Sequence, residues 1–364
     1  MKQQEYIGFG KIDKLKEILL KEKVKKVFVV TQKNSFVSTG AKEKVDKIIP
    51  NYFRFNDFSP NPKIEDIKKG YSQFVKEDYN LIIAIGGGSA IDAAKAIKMF
   101  YFEDTHKNIP IVAIPTTSGT GSEATYFIVY YQDKEKQSAG KKEVTIPEYV
   151  ILDPDLVLNL PKNIAASTGM DALSQAVESY WSINSTIQSK KYSAEAIKLI
   201  LNNLEKAINT SEKKYREKML LASNLSGKAI NITKTTACHS IAYPITSFYN
   251  VPHGHAVGLT LSSMLLYNSQ VSDKDCNDSR KADYVKKTIN EIISLMGAKN
   301  VIGAKEKIEG IMKNIGLETK LSRLGLSDND LNIIIKMGFN PKRVNNNPRI
   351  LTKENLGVIL KQLL

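Results

Sequence analysis

The chain has 364 residues, 42% hydrophobic and 25% charged, with a net charge of +14 and two cysteines. That length buries a sizeable core and favours two domains, while the absence of an 18-residue apolar run and of a signal-like N-terminus in MKQQEYIGFGKIDKLKEILL argues against a membrane span and against export. The lysines are mixed with glutamates on helical surfaces, so the charge reads as a solvated surface rather than a nucleic-acid patch, and Cys238 and Cys276 fit a reducing, cytoplasmic setting without a disulfide.

From the N-terminus, the β-branched runs VKKVFVVTQ, YNLIIAIGGG, IPIVAIPTT and EYVILDP alternate with amphipathic stretches at residues 11–23, 63–76 and 89–102. Strands apolar on both faces predict a parallel sheet covered by helices on either side. After Pro161 these runs give way to long periodic segments at 189–208, 212–230 and 283–296. The reading is therefore an α/β domain over 1–160 followed by an all-helical domain over 161–364.

Two turns follow neighbouring apolar runs. In GGGSAIDAAKAIK, Gly86, Gly87 and Gly88 allow a phosphate close to the backbone, and Ser89 and Asp92 open the helical pattern whose N–H groups favour negative charge. In PTTSGTGSEAT, Thr116, Thr117, Thr120 and Ser122 supply hydroxyls for a nucleotide's phosphates and ribose at the carboxyl end of a strand, where open α/β sheets bind ligands. Either stretch alone also reads as a tight or Ser/Thr-rich turn; the pair is more specific.

Residues 168–257 look like the two halves of one metal site. Asp171 and Gln175 are four apart, which on a helix places both side chains on one face. His239, His253 and His255 are three of the four histidines and cluster nearby. By itself the Asp/Gln pair reads as a solvated helix face; with the histidines it offers oxygen and nitrogen donors for one divalent cation, leaving a position for substrate.

Taken in order, GGGSAIDAAKAIK, PTTSGTGSEAT, VILDPDLVLNLP, TGMDALSQAVESYW and PHGHAV resemble the successive signatures of the iron-containing (group III) alcohol dehydrogenase family over nearly the whole chain. The resemblance implies a Rossmann-like dinucleotide-binding domain, an all-helical metal domain of the dehydroquinate synthase-like superfamily, and interconversion of an alcohol and an aldehyde with NADH or NADPH. It places the metal ligands, for Fe2+ first and Zn2+ second, on Asp171, Gln175, His239 and His253. Two positions depart from the family pattern: Gln175 stands where histidine is usual, and Tyr243, expected near the substrate, stands where many members carry another histidine. Asn61 and Lys136 align with cofactor contacts. Gln32 takes the place of a carboxylate after the strand KKVFVVTQ, which removes a repulsion against the NADPH 2′-phosphate. DALSQAVESYWSINST with INITKTTACHSIAYPIT resembles the branch that reduces phosphonoacetaldehyde to 2-hydroxyethylphosphonate, with Lys234, Thr235 and Thr236 as the expected head-group contacts. His255 is the expected proton donor, since neither ligand duty nor burial claims it in the sequence. The expected partners are a small, anionic aldehyde and a second copy of the chain in a dimer, with no nucleic acid and no membrane. A general short-chain alcohol dehydrogenase and a dehydroquinate synthase-type lyase are the alternatives.

Overall fold

A computed structural model describes residues 3–133 and 135–364. Two compact units divide the chain, Met1–Leu160 and Pro161–Leu364.

In the first unit, β1 (Gln4–Ile7), β2 (Val27–Thr31), β3 (Phe53–Phe55), β4 (Leu81–Gly86), β5 (Ile111–Pro115) and β8 (Tyr149–Leu152) form a sheet in the order β1-β8-β5-β4-β2-β3, parallel at every pairing. This is the parallel α/β arrangement that the alternation predicts. Every residue of β2, β4 and β5 is buried, because alternate side chains enter two separate cores. Val29, Ile83, Ile85 and Ile114 pack into one, and Phe28, Val30, Ile82 and Ala113 into the other. The helix Gly88–Thr105, rich in alanine, is buried along most of its length, Lys95 and Lys98 included. A hairpin of β6 (Ile128–Gln132) and β7 (Glu135–Ala139) forms a second, antiparallel sheet.

The second unit is all-helical. Its first helix, Lys162–Trp181, and the helix His253–Ser269 are buried nearly all round, so each is a central member rather than an amphipathic cover. Gly254 explains how they meet: a Cβ there would lie 1.9 Å from the Ser167 carbonyl oxygen and 2.8 Å from the Asp171 Cβ. Glycine lets the two backbones touch, and that contact brings His253 beside Asp171. Gly169 makes room instead for a side chain of the helix Ile187–Asn209, since a Cβ there would meet Leu204 Cδ1 at 2.2 Å.

Candidate active site

On the first helix of the second unit, Asp171, Gln175 and Glu178 stand at positions i, i+4 and i+7, one face of a 3.6-residue period. His239 is on the helix Ala237–Tyr249, and His253 opens the next one. Ligating atoms of Asp171, His239 and His253 all lie within 4.8 Å of one another. Asp171 Oδ1 is 3.2 Å from His239 Nε2, and the rings of His239 and His253 are 5.6 Å apart at a steep angle.

Glu178 organises this group, although nothing in the sequence analysis singles it out. It is fully buried. Its Oε1 accepts from the Thr236 N–H (3.2 Å), the Thr236 hydroxyl (2.7 Å) and the Cys238 N–H (2.9 Å), while Oε2 bonds His239 Nδ1. One carboxylate thus satisfies orphan donors at a helix start and fixes the imidazole of a residue on that helix. Burial alone would raise its pKa; the adjacent His239 and the hydrogen bonds outweigh burial and hold the carboxyl below its ordinary value. The i, i+4, i+7 spacing in DALSQAVE was the signal that could have found it.

With Nδ1 turned to Glu178, His239 presents Nε2 to Asp171 and His253, the carboxylate–histidine arrangement typical of metal ligands. The carboxylate of Asp171 and the two imidazoles make a mixed oxygen and nitrogen set that suits Fe2+ or Zn2+. Gln175 is buried and its Oε1 accepts from Ser226 Oγ at 3.0 Å. Cys238, next to His239, is raised well above the usual thiol range, chiefly by burial, so it is no thiolate.

The residues expected around the substrate separate in the structure. Lys234 is exposed and adopts φ 61°, ψ 176°, a rare conformation for a side-chain-bearing residue, at the link between two helices. Thr235 Oγ1 lies 3.4 Å from Arg343 Nη1, and its carbonyl accepts from Asn346 Nδ2 at 3.0 Å. Arg343 had no place in the sequence reading, because only folding returns residues 343–346 to this turn. Thr236, expected at the head group, is instead buried with its hydroxyl committed: it donates to Glu178 and accepts from Trp181 Nε1 at 3.0 Å. Tyr243 lies one turn beyond His239 and is half-buried. His255 corrects the premise on which it was chosen. Burial does claim it, at 5% exposure, its Nε2 donates to the Glu318 carbonyl at 2.7 Å, and burial holds its pKa below the ordinary value.

In the first unit the two glycine-bearing turns touch. β4 and β5 pair at Gly86 and Pro115, and the Thr116 N–H donates to the Gly86 carbonyl at 3.0 Å. Gly86 has φ +156°, and a Cβ would lie 2.7 Å from that of Ala90. At Gly88 a Cβ would come within 2.9 Å of Thr120 Oγ1, and at Gly87 within 3.2 Å of Thr117 Cγ2. Bare backbone at all three positions keeps the floor of the turn open. Ser89 Oγ accepts from the Asn61 N–H at 3.2 Å, which draws Asn61, itself at φ 59°, to the helix start. Asp92 and Ser122 bond each other at 2.5 Å, and Asp92 also accepts from the Val129 N–H. Lys95 ties to Ser122 Oγ at 2.9 Å and to the Phe127 carbonyl at 2.8 Å. Asp92 and Ser122 therefore brace the turns from behind. Lys136 sits half-buried on β7, opposite Tyr131, and its charge helps to offset the burial of Asp92. Beside Gln32, Arg54 donates to the carbonyls of Gln32 (3.0 Å) and Lys33 (3.1 Å), a cation at the carboxyl end of β2 that the sequence reading did not anticipate.

Residues 3–154 match the family described as iron-containing alcohol dehydrogenase, and residues 165–364 match the Fe-containing alcohol dehydrogenase family, C-terminal. The chain belongs to this family. It is accordingly an NAD(P)-dependent, iron-type oxidoreductase acting on aldehydes and alcohols. Its similarity to the NAD-dependent methanol dehydrogenase of Bacillus methanolicus is 29% identity over 98% of this chain and 97% of that one. It is 30% identical to the phosphonoacetaldehyde reductase of Streptomyces viridochromogenes, over 77% of this chain and 75% of the relative. Among solved structures, the sulfoacetaldehyde reductase of Bifidobacterium kashiwanohense in complex with NAD+ superimposes with a TM-score of 0.87 at 29% identity, covering 99% and 96% of the two chains. An iron-containing alcohol dehydrogenase from Thermotoga maritima does so with a TM-score of 0.85 at 27% identity, covering 100% and 98%. Among the described residues of this family member, no helix is long and apolar enough to cross a membrane.

Proposed function

We propose that this iron-type dehydrogenase reduces a small aldehyde bearing an anionic head group, with phosphonoacetaldehyde the first candidate. The observation that carries this reading is Arg343, held beside Thr235 Oγ1 at the turn that also bears Lys234. The turn lies four residues before His239. Residues 338–346 are fastened there as well: Ser240 Oγ donates to the Gly338 carbonyl at 2.5 Å, and the Asn340 N–H donates to Ser240 Oγ at 3.1 Å. A guanidinium fork matches a phosphonate or sulfonate face. Two similar proteins at or near 30% identity are named for phosphonoacetaldehyde and sulfoacetaldehyde.

In this proposal Asp171, Gln175, His239 and His253 hold the cation, with Glu178 orienting His239. A divalent cation bound there supplies Lewis acidity toward a carbonyl oxygen, and a reduced nicotinamide supplies hydride. The remaining work falls to the chain's own side chains. Residues 86–89 and 116–120 hold the pyrophosphate through backbone N–H groups and hydroxyls. Arg54 and Gln32 receive the ribose end, a setting that accepts a 2′-phosphate, so NADPH serves as well as NADH. Arg343, Lys234 and Thr235 fix the head group, and Tyr243, one turn from His239, hands the proton to the product oxygen in place of His255.

The test compares phosphonoacetaldehyde, sulfoacetaldehyde and propanal with the wild type and with Arg343→Ala and Lys234→Ala. Loss of a charged hydrogen bond is worth about 1.5–3 kcal/mol, so kcat/KM for the anionic aldehydes should fall about 10- to 150-fold in Arg343→Ala, while propanal changes little. The exposed Lys234 should contribute at the lower end of that range. Equal losses for charged and neutral aldehydes contradict the anion reading. They favour a general alcohol dehydrogenase, for which the similarity to methanol dehydrogenase over nearly the whole chain speaks.

A further inference from the structure

The link between the helices Lys213–Thr233 and Ala237–Tyr249 consists of Lys234, Thr235 and Thr236, and its backbone is held at each of them. The Lys234 N–H donates to the Ile230 carbonyl at 2.8 Å, the Thr235 carbonyl accepts from Asn346 Nδ2 at 3.0 Å, and the Thr236 N–H donates to Glu178 Oε1 at 3.2 Å. Asn346 is itself anchored, since its Oδ1 accepts from Asn184 Nδ2 at 3.0 Å and its carbonyl from the Ile183 N–H at 3.1 Å. So fixed, the chain passes Lys234 at φ 61°, ψ 176°, a region that glycine alone occupies without strain.

Nothing among the described residues offsets that strain. Lys234 is exposed, so its side chain contributes no burial, and its ammonium makes no hydrogen bond, ion pair or ring contact with them. A residue strained without an internal partner is kept for something outside the chain, and what an ammonium recognises is an anion. The setting agrees. Thr236 shares the Glu178 carboxylate with His239, and Arg343 Nη1, 3.4 Å from Thr235 Oγ1, brings a second cation to the same link.

We propose that Lys234 is a specificity residue held at a cost in stability: its side chain is retained for an anionic substrate head group, in a backbone conformation where glycine would make a more stable but less selective enzyme. The inference rests on the reading that this turn receives the anion, and it adds a conflict between folding and recognition at one residue.

The experiment compares the wild type with Lys234→Ala, which removes the ammonium but keeps the Cβ and its strain, and with Lys234→Gly, which removes both. The thermal midpoint of Lys234→Gly should lie about 2–6 °C above those of the other two proteins. The ratio of kcat/KM for phosphonoacetaldehyde to that for propanal should fall about tenfold in both variants. Lys234→Arg should keep most of the ratio and gain nothing in midpoint. A midpoint in Lys234→Gly no higher than in Lys234→Ala overturns the proposal, because the strain is then absent. The wild-type ratio in both Lys234→Ala and Lys234→Gly also overturns it. If Arg343→Ala loses the ratio while these variants keep it, this inference alone falls; if the wild type itself does not favour the charged aldehyde, the anion reading falls with it.

Discussion

In the sheet unit, the groups proposed to hold a nucleotide come from two short turns, residues 86–89 and 116–122, brought together because β4 and β5 are hydrogen-bonded neighbours. In the helical unit, Asp171, His239 and His253 come from three helices, and a fully buried carboxylate, Glu178, joins the first of these to the second. The first site depends on what is missing from the backbone, the Cβ atoms of Gly86, Gly87 and Gly88. The second depends on what side chains supply to one another. Substitutions should therefore fail differently: crowding in one unit, a lost orientation in the other.

Removing the Glu178 carboxylate is the severest test of this contrast. Glu178→Ala strips the start of the His239 helix of its acceptor and leaves several buried donors unsatisfied, so the helical unit should lose roughly 3–5 kcal/mol. Glu178→Gln, which keeps the shape, should retain the fold but bind Co2+ about 10- to 100-fold more weakly. Metal content and thermal melts read both. Wild-type metal affinity in Glu178→Gln would show that the imidazole of His239 needs no carboxylate behind it.

Lys95 sharpens the same contrast from the sheet unit, where a buried charge braces the turns. Burial brings its pKa down from 10.5 to about 8, although Asp92 and Glu123 pull the other way. Between those values the unfolded chain holds the proton and the folded chain releases it, so stability should rise with pH from about 8 to 10.5. The rise should reach up to roughly 3 kcal/mol, and Lys95→Met should lack it. Denaturant melts of both proteins at pH 7.5, 9 and 10 check the sign; parallel pH profiles would contradict it.

Gly254→Ala tests backbone contact in the helical unit. Its Cβ would meet the Ser167 carbonyl at 1.9 Å, and overpacking of this kind costs about 1–3 kcal/mol. Metal affinity should fall with stability, because the same contact brings His253 to Asp171. Gly88→Ala is the milder counterpart, since its Cβ would meet the Thr120 side chain at 2.9 Å rather than a backbone carbonyl at 1.9 Å. NADPH binding should weaken about tenfold, roughly 1.4 kcal/mol, while Co2+ affinity stays at the wild-type value. Loss of metal in this variant would blur the separation between the two sites.

The same contrast decides what the sequence could disclose. The sheet unit was legible because its signals are local: apolar runs of strand length, and glycines and hydroxyls standing directly after them. Asp171 and Gln175 were legible as an i, i+4 pair, and His239 and His253 as a cluster. Glu178 lay one turn further on and was missed, since a lone glutamate on a helix usually faces solvent and only folding buries this one under Thr236 and Cys238. In sequence Thr236 looks like a ligand-facing hydroxyl, and only the fold engages it with Glu178 and Trp181. Arg343 and Arg54 were out of reach for a related reason. Arg343 is more than a hundred residues from Thr235 in sequence, and Arg54 reaches Gln32 only through the pairing of β2 with β3.

The most direct test of the account is to strip the protein of metal with a chelator and measure two things on one sample: steady-state NADPH oxidation with an aldehyde, and NADPH binding by nicotinamide fluorescence. The account predicts that turnover disappears and returns on adding Fe2+ or Zn2+, while the dissociation constant for NADPH changes by less than about threefold, roughly 0.6 kcal/mol. Undiminished turnover in the stripped protein would contradict it, since the proposed ligands Asp171, Gln175, His239 and His253 would then hold nothing the reaction needs.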